Sequence, residues 1–496
     1  MAIALYVENK DTGGNSSAPK SPPLNLGAVL TDSKTAEGEV EAIDKRLFAR
    51  SRGWLEKWRE VHIDMFGSND VALECIPSAK GLNWHRLAGG GGLMSDACAQ
   101  AQKMSRVMAE KVKTSYVEKI GAEAWGALTE EEQFAVVRVY IVFCINHLRS
   151  TGARRAIKFE EKHLKIKFED NIKEIPAHLR VHGKLTDALR AVAKEFVYAA
   201  IRIYPKGSGM YFFSWVVKFY PRRVIFALKR IDLGVRFDVE FEAALSVYMN
   251  LTLYMKFLKV VIDTKDVDNI LERNLFITLG SLEAQAALRA RAIFFLKVIF
   301  PLRFISNSSD LASSPVDMAK PLTTLYEFLA NAANDGSLFM DGSLDIFLSS
   351  LDGTAREMYG DFNASFQRIK GTRADGSGKV EVYSVIMEEL FKPMAESEAL
   401  KAETIAVLEV HSAGFMEAMS DTPMRDYTPG GQYSEEVVTD KMRADMKGQG
   451  INNDPVSPSS RSPRTCSKEV QTSTSTPRMG WRPPASTTRS PRPLGL

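Results

Sequence analysis

Arg154, Arg155, Lys158, Lys162, Lys165 and Lys167 follow one another closely in this chain. Arg190, Lys194, Arg202 and Lys206 form a second group, and Lys218, Arg222, Arg223, Lys229, Arg230 and Arg236 a third. Among them stand Tyr204, Tyr211, Phe212, Phe213, Trp215, Phe219 and Tyr220, around a Gly207-Ser208-Gly209 connection. Guanidinium and ammonium groups neutralise phosphates, and flat rings stack on bases without choosing among them. The mixture therefore suits sequence-tolerant binding of a single-stranded nucleic acid, with the three cation groups converging on one groove. Phe212, Trp215, Val216 and Phe219 recur at helical spacing, which assigns them to a core and leaves Tyr204 and Tyr211 as the rings expected to reach a ligand.

Charge is distributed to match. The 496 residues carry 64 Lys and Arg against 61 Asp and Glu, a net +3. Residues 138–236 hold 21 Lys and Arg against 8 acids, and residues 451–496 hold 7 against 2, which leaves the remainder at −15. Such segregation is the electrostatic footprint of an anionic partner, either nucleic acid or an anionic membrane surface; a solvated basic face without a ligand is the bland alternative.

No other residue set assembles a reaction. The histidines (His62, His85, His147, His163, His178, His182, His411) contain no His-Glu-x-x-His, and the pair His178 and His182 is bracketed by Pro176 and Gly183 without an acidic third ligand nearby. Cys75, Cys98, Cys144 and Cys466 lack metal spacing and predict reduced thiols rather than a disulfide framework. Gly89 to Gly92 has no Lys-Ser/Thr after it and no evident strand before it, so it reads as a flexible connection into a helix at Ser95. Arg373 to Ser384 echoes a calcium loop, but Arg373 and Ser384 stand where the first and last carboxylates are needed. No Gly-x-Ser-x-Gly elbow occurs. The expectation is a protein without metal, cofactor or enzymatic activity.

The elements that must position the cations read mainly as α, with minor β. Helices are predicted over 42–65, 96–118, 129–148, 186–203, 222–231, 239–262, 282–300, 322–333 and 401–419, the third opening on a Thr129 to Glu132 capping box. Over 186–203 Arg190 and Lys194 lie opposite the apolar face. The best strand is Leu164 to Phe168, whose alternation would expose Lys165 and Lys167 together; Val380 to Tyr383 is a weaker one. Asp335-Gly-Ser-Leu338 and Asp341-Gly-Ser-Leu344 read as paired turns.

Composition divides the chain into a flexible N-terminal arm (1–42), a helical N-lobe with the basic block (43–236), a helical C-lobe (237–420) and a disordered Pro/Ser/Arg-rich basic tail (421–496). Ser457, Ser462, Thr476 and Ser490 precede prolines and are candidates for phosphorylation. The start lacks a basic n-region and h-region, so secretion is not expected. Lys256, Lys259 and Lys297 interrupt the most apolar stretches, so no membrane span is expected either.

A two-lobed helical body, a basic middle and two polar arms resemble the nucleocapsid (coat) protein of a negative-strand RNA virus, over roughly 43–420 plus both ends. The resemblance implies single-stranded RNA in a cleft between lobes, arms docking onto neighbouring copies to build an oligomer or filament, and residence in the virion and host cytoplasm, with the nucleus as a further site. The Arg and Lys residues of 154–230 are cleft residues by charge alone. Two alternatives use the same features: a capsid protein of another RNA virus that contacts RNA through its basic tail, and a cellular helical scaffold for proteins or anionic lipid.

Overall fold

Helices dominate the chain, as the apolar spacing predicts, and strands are few. The computed structural model describes residues 2–5, 24–28, 35, 37–38, 40–41, 60–61, 63–64, 84, 91–95, 99–171, 208–226, 238–264, 270–308, 314–367, 370–374, 377–392 and 397–446. All fall within one compact unit, Met1–Ser459.

The described elements run β1 (Ala2–Leu5), β2 (Leu24–Ala28), β3 (Gly91–Ser95), α1 (Ala99–Ile120), α2 (Ala122–Gly126), α3 (Glu130–Val137), β4 (Val139–Phe143), α4 (Ile145–Asn171) and α5 (Ser208–Phe219). Then come α6 (Asp238–Met249), α7 (Leu251–Thr264), α8 (Ile270–Gly280), α9 (Leu282–Phe294), a π-helical turn Phe295–Ile299, α10 (Phe300–Asn307) and α11 (Ala319–Ala332). The order ends with α12 (Gly353–Gln367), β5 (Lys370–Thr372), β6 (Lys379–Glu381), α13 (Tyr383–Phe391), α14 (Glu398–Asp421) and α15 (Asp440–Asp445). One sheet has the order β2-β1-β3-β4, with β3 and β4 parallel; β5 and β6 form an antiparallel hairpin.

Local chemistry explains several boundaries. The Thr129 hydroxyl accepts the Glu132 amide at 3.2 Å while the Glu132 carboxylate accepts the Thr129 amide at 2.9 Å, so α3 opens on the expected capping box. The two Asp-Gly-Ser turns also form: Asp335 Oδ1 accepts the Ser337 amide and Asp341 Oδ1 the Ser343 amide, each at 3.0 Å.

Elsewhere the structure departs from the expected elements. The helix expected over 129–148 breaks at Arg138, because the β-branched and aromatic run Val139 to Phe143 enters the sheet beside β3. Part of the glycine run is β3 itself rather than a loose connection. Leu164 to Phe168 is helix, not strand. Leu148, Gly152, Ala156, Glu160 and Leu164 are buried at four-residue intervals, and this longer period overrides five residues of alternation. The helix expected over 239–262 is two helices bent by 69° at Asn250. The Asn250 side chain there bonds both the amide and the carbonyl of Phe226, at 3.2 and 2.7 Å. The helices expected over 42–65 and 186–203 lie largely or wholly outside the described residues.

Among the described residues one large apolar cluster runs from Tyr140 to Met446, with members on both sides of the boundary expected at 236/237. Its spine is α4 packed along α14. Successive contacts pair Gly152 with Phe415, Ala156 with Gly414, Glu160 with His411 and His163 with Glu403, which makes the helices antiparallel. Close approach needs glycine at two of these points: a Cβ at Gly152 would lie 2.6 Å from the Phe415 ring, and one at Gly414 would lie 2.9 Å from Ala156 Cα.

Residues 421–446, expected in the tail, instead pack on the body. Met424, Tyr427, Tyr433, Met442 and Met446 are buried, Tyr433 donates to the Ile141 carbonyl at 3.0 Å, and Tyr140 donates to Asp445 at 3.1 Å. These apolar residues are too widely spaced among polar ones to show a period, yet all of them join the same apolar cluster as β4.

Candidate nucleic-acid interface

On the outer face of α4, Arg154, Lys158 and Lys162 are exposed. They stand four residues apart, so they form one stripe with steps of about 6 Å along the axis. The opposite face of α4 is fixed in the core by Ile157, Glu160 and Leu164, which is what turns the stripe outward. Arg155 does not join it. Its Nη1 lies 2.9 Å from Glu417 Oε1 and both side chains are half-buried, so it braces α4 to α14 instead of facing a ligand. Lys165 and Lys167 lie on the same helix and not on the strand expected for them.

The second site lies at the end of α5. Phe212 and Val216 are fully buried, with the Phe212 ring 4.9 Å from Tyr254 and 5.4 Å from Phe257 of α7. Trp215 is half-buried at 5.7 Å from Phe257. The helix stops at Phe219, because Pro221 cannot continue it and the Arg223 amide closes a turn onto the Tyr220 carbonyl at 2.9 Å. The expected helix therefore does not begin at Arg222, and residues 220–223 form a turn. The β5–β6 hairpin holds this turn: the Ala374 amide donates to the Arg223 carbonyl at 2.9 Å, and Val224 bridges Arg373.

The outcome for Phe219 reverses the expectation. Assigned to the core by spacing, it is 56% exposed, because its stripe outruns the helix that carries it. Together with Tyr220, Pro221, Arg222 and Arg223 it lines an open concavity. Lys218 Nζ sits 5.2 Å from the Phe219 ring centre and Lys256 Nζ 5.4 Å from that of Tyr220. Lys218, Arg222, Arg223 and Lys256 are exposed, so four cations surround two aromatic rings. Lys256 was legible only as a charge interrupting an apolar stretch, and Pro221 was the signal that α5 must end beside Phe219. Tyr211 falls on α5, whereas Arg190, Lys194, Arg202, Tyr204, Lys206, Lys229 and Arg230 lie outside the described residues.

The remaining charges of interest are buried and bind protein, not ligand. Arg291 grips Glu160 with two bonds, Nε to Oε2 at 2.8 Å and Nη2 to Oε1 at 2.7 Å, while His411 Nε2 lies 2.6 Å from Glu160 Oε2 and Glu240 stands 3.7 Å from Arg291. Burial raises the Glu160 carboxyl, but Arg291 and His411 more than offset it and hold its pKa at about 2. Asp238 accepts from Arg149 and Arg303 at 2.9 and 3.2 Å. Lys297 lies in the π-helical turn, paired with Asp341 beneath the Phe339 and Phe391 rings, and its burial lowers its pKa. These groups join α4, α6, α9, α10 and α14 and are closed to solvent, apart from Asp341 and the half-buried Arg303.

Among the described residues no three His, Cys, Asp or Glu are placed to hold a metal ion. None of their single helices is long and apolar enough to cross a membrane; α6 and α7 pass that test only as a bent pair. No protein-family model, curated protein or solved structure matches this chain.

Proposed function

We propose that this chain binds single-stranded RNA without strong sequence preference and acts as a nucleocapsid-type protein, coating RNA as an oligomer whose terminal segments link neighbouring copies. The observation that carries the reading is the set of four exposed cations around the Phe219 and Tyr220 rings. The Arg154, Lys158 and Lys162 stripe supplies further phosphate contacts. Cations on folded elements neutralise a phosphate chain without first having to be ordered, and exposed rings take any base. Among the described residues no Asn, Gln, Asp or Glu lines the concavity, so of these only arginine could favour one base edge over another. A protein of this kind works in the host cytoplasm and the virion.

The test is the salt dependence of affinity for unstructured RNA. Each phosphate neutralised should add about −0.7 to the slope of log K against log salt, so a steep, sequence-independent slope is expected. A flat slope would overturn the reading and favour a scaffold for protein partners.

A further inference from the structure

We propose, resting on the RNA-binding reading, that Phe219 is the stacking platform for one unpaired base, and that it makes the site prefer single strands to duplex. Three observations converge on it. The Phe219 ring is 56% exposed at a helix end, so it is not spent on the core. It is also held in place: Trp215 stands 5.8 Å from the Phe219 ring and 5.2 Å from Tyr220, and Trp215 in turn leans on Phe257, so the platform is braced by the core. Finally, the surface around it is cationic, with Lys218 over the ring itself and Arg222 and Arg223 along the same concavity. Lysine is depleted at the desolvated centres of protein interfaces, which argues against an apolar protein partner, whereas a nucleotide brings both a flat face for the ring and a phosphate for the cations. In a duplex the base faces are already stacked on one another and closed to an outside ring, so only an unpaired strand satisfies both halves of the site.

The experiment measures affinity of the full chain for a short unstructured RNA and for a blunt duplex of equal length, over a range of salt. Phe219→Ala should weaken single-strand binding about tenfold, the loss expected for one stacked base, while leaving the salt slope and the duplex affinity unchanged. Phe219→Trp should restore binding. Arg222→Ala combined with Arg223→Ala should instead make the salt slope shallower by about 1.4. If Phe219→Ala binds single strands as tightly as the parent while the double arginine variant weakens, stacking is wrong and the RNA-binding reading stands. If the parent binds neither RNA but binds phosphatidylserine vesicles through Phe219, both fall together.

Discussion

Replacing Glu160 with alanine should cost the fold about 3–5 kcal/mol, because it strands two partners in the core. Arg291 and His411 are both fully buried and both bond Glu160, and Glu240 is too distant at 3.7 Å to replace a bidentate carboxylate. The loss should appear as a lower urea midpoint, against a change of less than about 0.5 kcal/mol for Lys158→Ala on the exposed face of the same helix. The effect should also depend on pH. Glu160 titrates near 2 when folded and near its ordinary 4.5 when unfolded, so the folded chain binds fewer protons there. Its contribution is complete above about pH 4.5 and is lost as pH falls toward 2, and the gap between parent and variant should close over that window. His411 acts with the same sign from a higher starting point. Burial pushes its pKa below the ordinary 6.5, so the neutral ring is the folded form, and stability should begin to decline as pH drops below 6.5.

Reversing four exposed cations, Lys158, Lys162, Arg222 and Arg223 to Glu, should weaken RNA binding about 100-fold or more at physiological salt while leaving the unfolding midpoint nearly unchanged. The expectation of little structural damage follows from position: the four side chains are exposed, and among the described residues none of them forms an ion pair that joins elements, in contrast to Arg155 with Glu417 and Arg149 with Asp238. Weakening should be uniform across RNA sequences, since phosphate contacts carry no base information. Filter binding with a purine-rich and a pyrimidine-rich RNA measures both features.

The helical character of the chain was legible because apolar periods persist over many residues in α1, α9, α11 and α14, and a capping box announced α3. Short alternations were not. Leu164 to Phe168 alternates like a strand, but those residues continue a helix whose buried period spans four earlier turns. The run from Val139 to Phe143 joined a helical reading because only its partner, β3, distant in sequence, makes it a strand. The basic stripe on α4 could be found from composition. The concavity could not, since it depends on where α5 stops and on a hairpin that folds back onto the Arg223 carbonyl. Arg155 marks the limit of charge counting: a cation in a basic run was recruited to an acid on α14, far along the chain.

The central claim is that the folded body, rather than the basic residues after Ser459, holds the RNA. The direct measurement compares the full chain with residues 1–459 for affinity and nuclease protection of one unstructured RNA at one salt concentration. If the body holds it, the shortened chain should keep most of the affinity and protect a fragment of the same length, because its cations are already positioned by α4, α5 and the β5–β6 hairpin. Loss of nearly all binding and protection on removal of 460–496 would contradict the account and assign RNA binding to the tail.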